Sequence, residues 1–217
     1  MSYSFHDTEA RAARITAALW LTVLAALAVV LSMALQGPYV ALTKEYGGAE
    51  LATVALIVIL GLWFVVTGAA GKRFWTIPVV LFLFALRERD FHNWFYEPGW
   101  LHSGVLQGDH PLWQKLLTGT AFVALLIVFG LLALRGAVPY LRALFTGKAW
   151  AWLVVAGGAC AVLSQTIDGA GRKLAPYGIT ISPELDRALG MTEELSELLL
   201  ILCLIWAVAV FRPADQA

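Results

Sequence analysis

Charged residues interrupt the third apolar stretch of this sequence at a depth where a membrane helix would still lie in hydrocarbon. The segment reads RERDFH and supplies Arg87, Glu88, Arg89, Asp90 and His92. Charges at that depth are costly, so they usually face a bundle interior or a watery cavity and mark a functional site. Glu88 and His92 lie four residues apart on one helix face, a spacing that suits a metal site or an acid–base pair.

Two later segments carry charges of the same kind, SQTIDGAGRKL at 164–174 and EELSE at 193–197. Their charged residues are Asp168, Arg172, Lys173, Glu193, Glu194 and Glu197. Ser164, Asp168 and Arg172 follow one another at intervals of four, so a helix would place them on one stripe. Glu193 and Glu197 have the same spacing and lead into the apolar run 198–211. The three segments predict matching polar stripes on three helices.

The composition places these stripes in a membrane protein. Hydrophobic residues make up 60% of the chain and charged residues 14%, with a mean hydropathy of +0.76. Soluble domains average about 25% charged residues. The fifteen basic and fifteen acidic residues cancel, which argues against a nucleic-acid partner, because phosphate-backbone binding needs a basic surplus. Membrane lipids are the expected surroundings and partners.

Apolar runs of about 20 residues are needed to cross a bilayer, and they predict an all-α, polytopic membrane bundle with a single domain over 1–217. The six predicted spans are about 15–35, 51–70, 74–96, 112–134, 149–168 and 192–211. The third run is short before Arg87, so we expect its helix to continue through the charged segment to Trp94 and Tyr96. Segment 138–145 (VPYLRALF) predicts a separate interfacial helix.

Basic residues define the expected orientation. Lys72 and Arg73 fill one short connection, and Arg135, Arg142 and Lys148 lie in another, with no acidic residue in either. Both connections and both termini are therefore predicted to be cytoplasmic. At about 1.5 Å per residue, Arg87 and Glu197 each lie roughly 20 Å from the cytoplasmic edge. Spans three, five and six would then form one charged site near the non-cytoplasmic face.

The charges of this expected site divide into three roles. Six acids face four bases, a surplus of two negative charges that a divalent cation would cancel. Carboxylate and imidazole ligands suit zinc, manganese or iron, and the candidate metal ligands are Glu88, His92, Asp168, Glu194 and Glu197. The candidate catalytic acids and bases are Glu88, Asp90, His92 and Asp168. The candidate substrate-binding cations, suited to an anionic group, are Arg87, Arg89, Arg172 and Lys173.

The three charged segments together resemble a family of small bacterial inner-membrane proteins. The shared pattern is Arg-Glu-x-Asp-x-His, then Asp-Gly-x-x-Arg-Lys, then clustered glutamates, and it covers spans three to six. The resemblance implies a multi-pass location in the bacterial inner membrane. It carries no activity, substrate or cofactor.

Three functions fit the pattern. The first is a site that binds or processes an anionic headgroup or lipid-derived substrate; an enzyme of this kind would be a metal-assisted hydrolase or transferase. The second is a proton- or cation-coupled transporter or channel that uses the carboxylates as a relay. The third is a structural or assembly protein whose charges are interhelical ion pairs.

Overall fold

A computed structural model describes residues 5–43, 47–89, 91–94 and 96–212, with side chains for all of these except 5–7 and 92. Within them the chain is all-helical and contains no strand. The α-helices are α1 (Phe5–Gln36), α2 (Pro38–Thr43), α3 (Gly48–Thr67), α4 (Thr76–Glu88), α5 (Gly104–Gln107), α6 (Leu112–Phe145), α7 (Ala149–Ile167), α8 (Ala170–Leu174) and α9 (Pro183–Val210). Short 3₁₀ turns occur at Phe91–Asn93 and Ala175–Tyr177. The prediction of an all-α fold is confirmed for this part of the chain.

Four of these helices are long and apolar enough to cross a membrane. They are α1 over Thr8–Gln36, together with α3, α6 and α7. They correspond to the predicted spans one, two, four and five, although α3 ends at Thr67 and α7 at Ile167, before the predicted ends at 70 and 168. The chain therefore has the helices of a membrane protein.

Helix α4 is shorter than the sequence predicts. It has 13 residues and ends at Glu88, with Arg89 as its C-cap, so the expected helical continuation through the charged segment is wrong. The reason lies in the aromatic contacts that follow. The Phe91 ring meets Trp94 edge to face at 5.0 Å and Trp100 at 6.3 Å, and the Trp100 indole donates to the Phe91 carbonyl oxygen at 3.4 Å. The chain turns back around Phe91 to make these contacts.

Helix α9 begins at Pro183, well before the Thr192 that the sequence predicted as its start. Ser182 caps it by accepting a hydrogen bond from the Leu185 backbone N–H at 3.2 Å. Proline at the first helical position and acidic residues in the first turn both favour a helix start. Glu184 and Asp186 supply those acids. The glutamates at 193–197 therefore lie inside a helix that has already formed two turns.

Helix α6 also differs from its prediction. It continues through Pro139 to Phe145 as one helix of 34 residues, so the separate interfacial helix expected at 138–145 is wrong. A proline inside a helix removes one backbone hydrogen bond. The well-formed turns on both sides outweigh that loss.

The chain divides into two compact units. Unit 1 comprises Met1–Leu56 with Tyr140–Ala217, and unit 2 comprises Ile57–Pro139. In unit 1, α7 and α9 make the most extensive helix–helix contact, and α1 and α2 also pack on α9. Leu198, Ile201 and Ile205 form the buried stripe of α9. Gly157 brings α7 close, because a Cβ there would lie 3.3 Å from the Cys203 Cβ.

Unit 2 is held by aromatic and backbone contacts. A Cβ at Gly61 of α3 would lie 3.1 Å from the Phe82 ring of α4. The guanidinium groups of Arg73 and Arg135 each donate to the other residue's carbonyl oxygen, at 3.1 and 3.0 Å. Tyr96 shares a 3.0 Å hydrogen bond with the buried Thr118 hydroxyl. These contacts fix the two ends of α4 within its own unit.

Candidate functional site

In unit 1 the central polar contact joins α7 to α9. The Ser164 hydroxyl donates to Glu197 Oε1 at 2.9 Å, and Ser164 is only 1% exposed. A serine that donates to a carboxylate across a helix interface links the two helices by a hydrogen bond. The sequence placed both residues on polar stripes, and the structure pairs them.

Three more carboxyl groups accompany Glu197. Glu194 interacts electrostatically with Glu197, Glu50 and Glu193. Glu50 lies in the first turn of α3 and is only 7% exposed. The sequence analysis did not include Glu50 among the candidate site residues. Its signal was the position of a single acid at the edge of an apolar run, on the same predicted side as Glu193.

Asp168 forms a second polar centre in unit 1, where α7 ends. It is the C-cap of α7. The following Gly169 adopts a left-handed backbone with φ of 55°, which glycine does at little cost. The turn brings Arg172 Nη2 to 3.8 Å and Lys173 Nζ to 3.9 Å from the Asp168 carboxylate. The predicted helical stripe is therefore interrupted after Ile167, and Asp168, Arg172 and Lys173 form an ion-pair centre that is largely open to the surroundings.

Unit 2 holds the first part of the charged segment, at the end of α4. Arg87 Nη1 donates to Glu88 Oε1 at 2.8 Å, and the Arg87 side chain remains 44% exposed. The two residues are neighbours in sequence, so this pair does not tie α4 to another helix. Arg89 follows as the helix cap.

An apolar groove lies beside Arg87 in unit 2, with a volume of about 180 Å³. Besides Arg87, it is lined by Leu83, Phe84, Leu86, Phe91, Trp100, Leu101, Leu125 and Phe129. Pockets that enclose a drug-sized ligand measure about 300–1,000 Å³. The groove therefore has room for a length of one hydrocarbon chain, with a single cation at its edge.

The predicted site residues divide between the two units. Unit 2 contains Arg87, Glu88 and Arg89, and unit 1 contains Asp168, Arg172, Lys173, Glu193, Glu194 and Glu197. Asp90 and the side chain of His92 lie outside the described residues. Within unit 1 the predicted residues form two polar centres, one around Glu197 and one around Asp168. The joint site of three helices stays a prediction.

The metal hypothesis gains no support from the described side chains. Among them, no group of three or more His, Cys, Asp or Glu residues could hold a metal ion. The predicted ligand set contained Glu88 in unit 2, His92, and three carboxylates in unit 1. Two of the unit 1 carboxylates have other partners: Glu197 accepts from Ser164, and Asp168 lies beside Lys173 and Arg172.

Comparison with known proteins finds no match: no family model, no curated protein and no solved structure matches this chain. The resemblance of its charged segments to a bacterial inner-membrane family therefore stays a prediction.

Proposed function

We propose that this protein binds an anionic amphiphile, a lipid headgroup or a lipid-derived molecule, at the groove of unit 2. Arg87 receives the negative group and the apolar wall receives the hydrocarbon chain. The single observation that carries the proposal is the groove itself, where one half-exposed arginine borders eight apolar side chains. A fixed cation beside an apolar channel matches a molecule with one charged end and one apolar end.

The proposed setting is the bacterial inner membrane, crossed six times with both termini in the cytoplasm. In this topology α4 with the turn that follows it forms the third span, and the apolar half of α9 forms the sixth. At about 1.5 Å per residue α4 covers about 20 Å of the roughly 30 Å hydrocarbon core. The groove at its end then opens near the non-cytoplasmic surface, where headgroups lie. The orientation is supported by the excess of Lys and Arg in the connections at 72–73 and 135–148, which is typical of cytoplasmic loops.

The proposal is tested by binding a single-chain anionic lipid to the purified full-length protein in uncharged micelles. Lysophosphatidylglycerol is the anionic probe, and lysophosphatidylcholine, which is zwitterionic and has no net charge, is the comparison probe. We expect Arg87→Gln to weaken binding of the anionic probe about tenfold or more, because a hydrogen bond to a charged group contributes about 1.5–3 kcal/mol. Leu125→Trp fills the groove and should weaken binding of both probes.

Lys115→Gln is the matched control, since it removes one positive charge from unit 2 away from the groove. It should change the affinity for the anionic probe less than twofold. Equal losses in Arg87→Gln and Lys115→Gln, with no effect of Leu125→Trp, would contradict the proposal, because they indicate only attraction to general surface charge.

A second candidate function rests on a different observation in unit 1. Four glutamates interact there, one of them the nearly buried Glu50. Carboxyl groups gathered inside a membrane bundle are where transporters and channels hold a proton or a cation. We propose proton or cation movement through this cluster as the alternative activity.

Ion flux into proteoliposomes tests this alternative. Glu194→Gln should abolish a flux that depends on the cluster. Glu184→Gln, in the exposed first turn of α9, is the control and should leave the flux unchanged. Wild-type vesicles that carry no proton or monovalent-cation flux above empty vesicles would exclude the alternative.

A further inference from the structure

One end of unit 1 contains buried side-chain N–H donors that have no hydrogen-bond acceptor among the described residues. Arg11 Nε, Arg14 Nε and the Trp150 indole Nε1 are buried and have no hydrogen-bond partner in the described structure. Buried polar atoms are nearly always paired in folded proteins, with protein, water or a bound group. Three unpaired donors of the same polarity point to a missing acceptor.

Two of the three residues contact Phe211, the first residue after α9. Arg14 Nη2 donates to the Phe211 carbonyl oxygen at 3.0 Å. The Trp150 ring meets the Phe211 ring edge to face, with centroids 5.5 Å apart. Arg11 lies three residues before Arg14 in α1, so both side chains leave the same helix face. The start of α1, the start of α7 and the end of α9 thus contribute to one location.

Arg11 and Arg14 each carry a positive charge. Neither takes part in an ion pair among the described residues. An anion arriving here meets cations that no described carboxylate has neutralised.

We propose that Arg11, Arg14 and Trp150 form a binding site for a phosphate group, as carried by the headgroup of an anionic phospholipid. Guanidinium groups present paired N–H donors that match phosphate oxygens. Tryptophan prefers the headgroup layer, where its ring is apolar on one side and its N–H meets polar groups. Basic pockets at the ends of membrane helices bind phospholipid headgroups by this combination.

Binding requires a small rearrangement of the two arginines. Both side chains are half-buried, so their terminal nitrogens make the first contact while the Nε atoms are still covered. Rotation of each guanidinium towards the phosphate then gives Nε an acceptor. This site is separate from the groove beside Arg87, and the proposal does not depend on that groove.

Native mass spectrometry of the full-length protein in uncharged micelles tests the site. The probes are phosphatidylglycerol, phosphatidylcholine and inorganic phosphate, all measured in an Arg87→Gln background so that the groove in unit 2 contributes less. We expect phosphatidylglycerol to bind at least tenfold more tightly than phosphatidylcholine. Arg14→Gln should weaken it at least tenfold and Trp150→Phe at least threefold.

Arg142→Gln is the matched control, because it removes one charge from an exposed residue at the same end of unit 1. It should weaken binding less than twofold. Trp150→Phe keeps an aromatic ring against Phe211, so a lower affinity at an unchanged melting temperature assigns the effect to the indole N–H. Arg14→Lys keeps the charge without the fork and should give an intermediate loss.

The result also separates the two sources of a phosphate group. If inorganic phosphate displaces phosphatidylglycerol and binds with equal affinity, the site takes free phosphate from solution; if it does not, the site takes the lipid. Equal losses in Arg14→Gln and Arg142→Gln would overturn the proposal, because they indicate only general surface charge. The proposal would also be overturned if phosphatidylglycerol and phosphatidylcholine bound equally tightly and inorganic phosphate did not bind.

Discussion

Helices α4 and α9 both meet a run of charged residues at one end of an apolar stretch, and they respond differently. Helix α4 ends at Glu88, within its charged run. Helix α9 starts at Pro183 and continues through its glutamates into the apolar half. Arginine and glutamate are good helix formers, so local propensity does not separate the two cases.

The difference lies in what each charged run can contact inside its own unit. In α9 a capped start precedes the glutamates, and Ser164 of α7 donates to Glu197. In α4 Arg87 donates to the adjacent Glu88, and beyond the helix end the Phe91 ring packs against Trp94 and Trp100. Helix α9 thus continues through its charged run beside a neighbouring helix that donates a hydrogen bond to one of the glutamates. Helix α4 ends where aromatic packing stabilises a turn.

The largest expected effect comes from a substitution that forces α7 and α9 apart, because the comparison depends on their close packing. Gly157→Leu places a side chain where a Cβ alone would lie 3.2 Å from Leu200 Cδ1. Overpacking of this kind costs about 1–3 kcal/mol, and we expect the upper part of that range because backbone atoms of α9 are also close. Denaturation in mixed micelles measures the loss.

Gly158→Leu is the matched control for that substitution. Nothing lies within 4 Å of a Cβ at Gly158, and leucine is a better helix former than glycine by roughly 0.8–1 kcal/mol. We expect unchanged or slightly higher stability. Equal destabilisation by the two leucines would show that α7 does not depend on close contact with α9.

The turn after α4 offers the second test. Thr118→Val removes the hydroxyl that meets Tyr96 in a buried position. A lost buried hydrogen bond costs about 1–2 kcal/mol, and the segment after α4 should also become more accessible to proteases. Thr120→Val, on the exposed side of α6, should change neither property. Unchanged protease resistance of Thr118→Val would indicate that the aromatic contacts alone hold this turn.

The sequence predicted the parts of the fold that a single strong signal determines. Long runs without charge located α1, α3, α6 and α7. The end of α4 could not be predicted from the sequence, because it depends on the contact of Phe91 with Trp100, nine residues later in a loop. The burial of Glu50 was equally hidden, because only the folded unit brings the first turn of α3 near Glu194.

The third test compares two buried serines, one that joins helices and one that does not. Ser164 donates to Glu197 on the other helix, whereas Ser196 donates to the Thr192 carbonyl within α9. Hydrogen bonds between membrane helices average about 0.6 kcal/mol and reach about 1.7 kcal/mol. We expect Ser164→Ala to cost about 1 kcal/mol and Ser196→Ala less than about 0.5 kcal/mol. The reverse order in mixed-micelle denaturation would remove Ser164 from its joining role.

The smallest expected effect distinguishes the two cations beside Asp168. Lys173 Nζ donates to the Gln165 carbonyl oxygen at 2.8 Å, which gives the end of α7 a positive partner, while the Arg172 side chain is 80% exposed and lies 3.8 Å from Asp168. A cation at a helix C-terminus contributes about 0.3–1 kcal/mol, and an exposed ion pair about 0–1 kcal/mol. Lys173→Gln should therefore lower the unfolding free energy by about 0.5 kcal/mol, and Arg172→Gln by less. Because salt screens the exposed pair more than the helix-end contact, the gap between the two variants should widen at high ionic strength. A gap that closes instead would show that both residues act only as surface charges, and that α7 ends at Asp168 through the Gly169 turn alone.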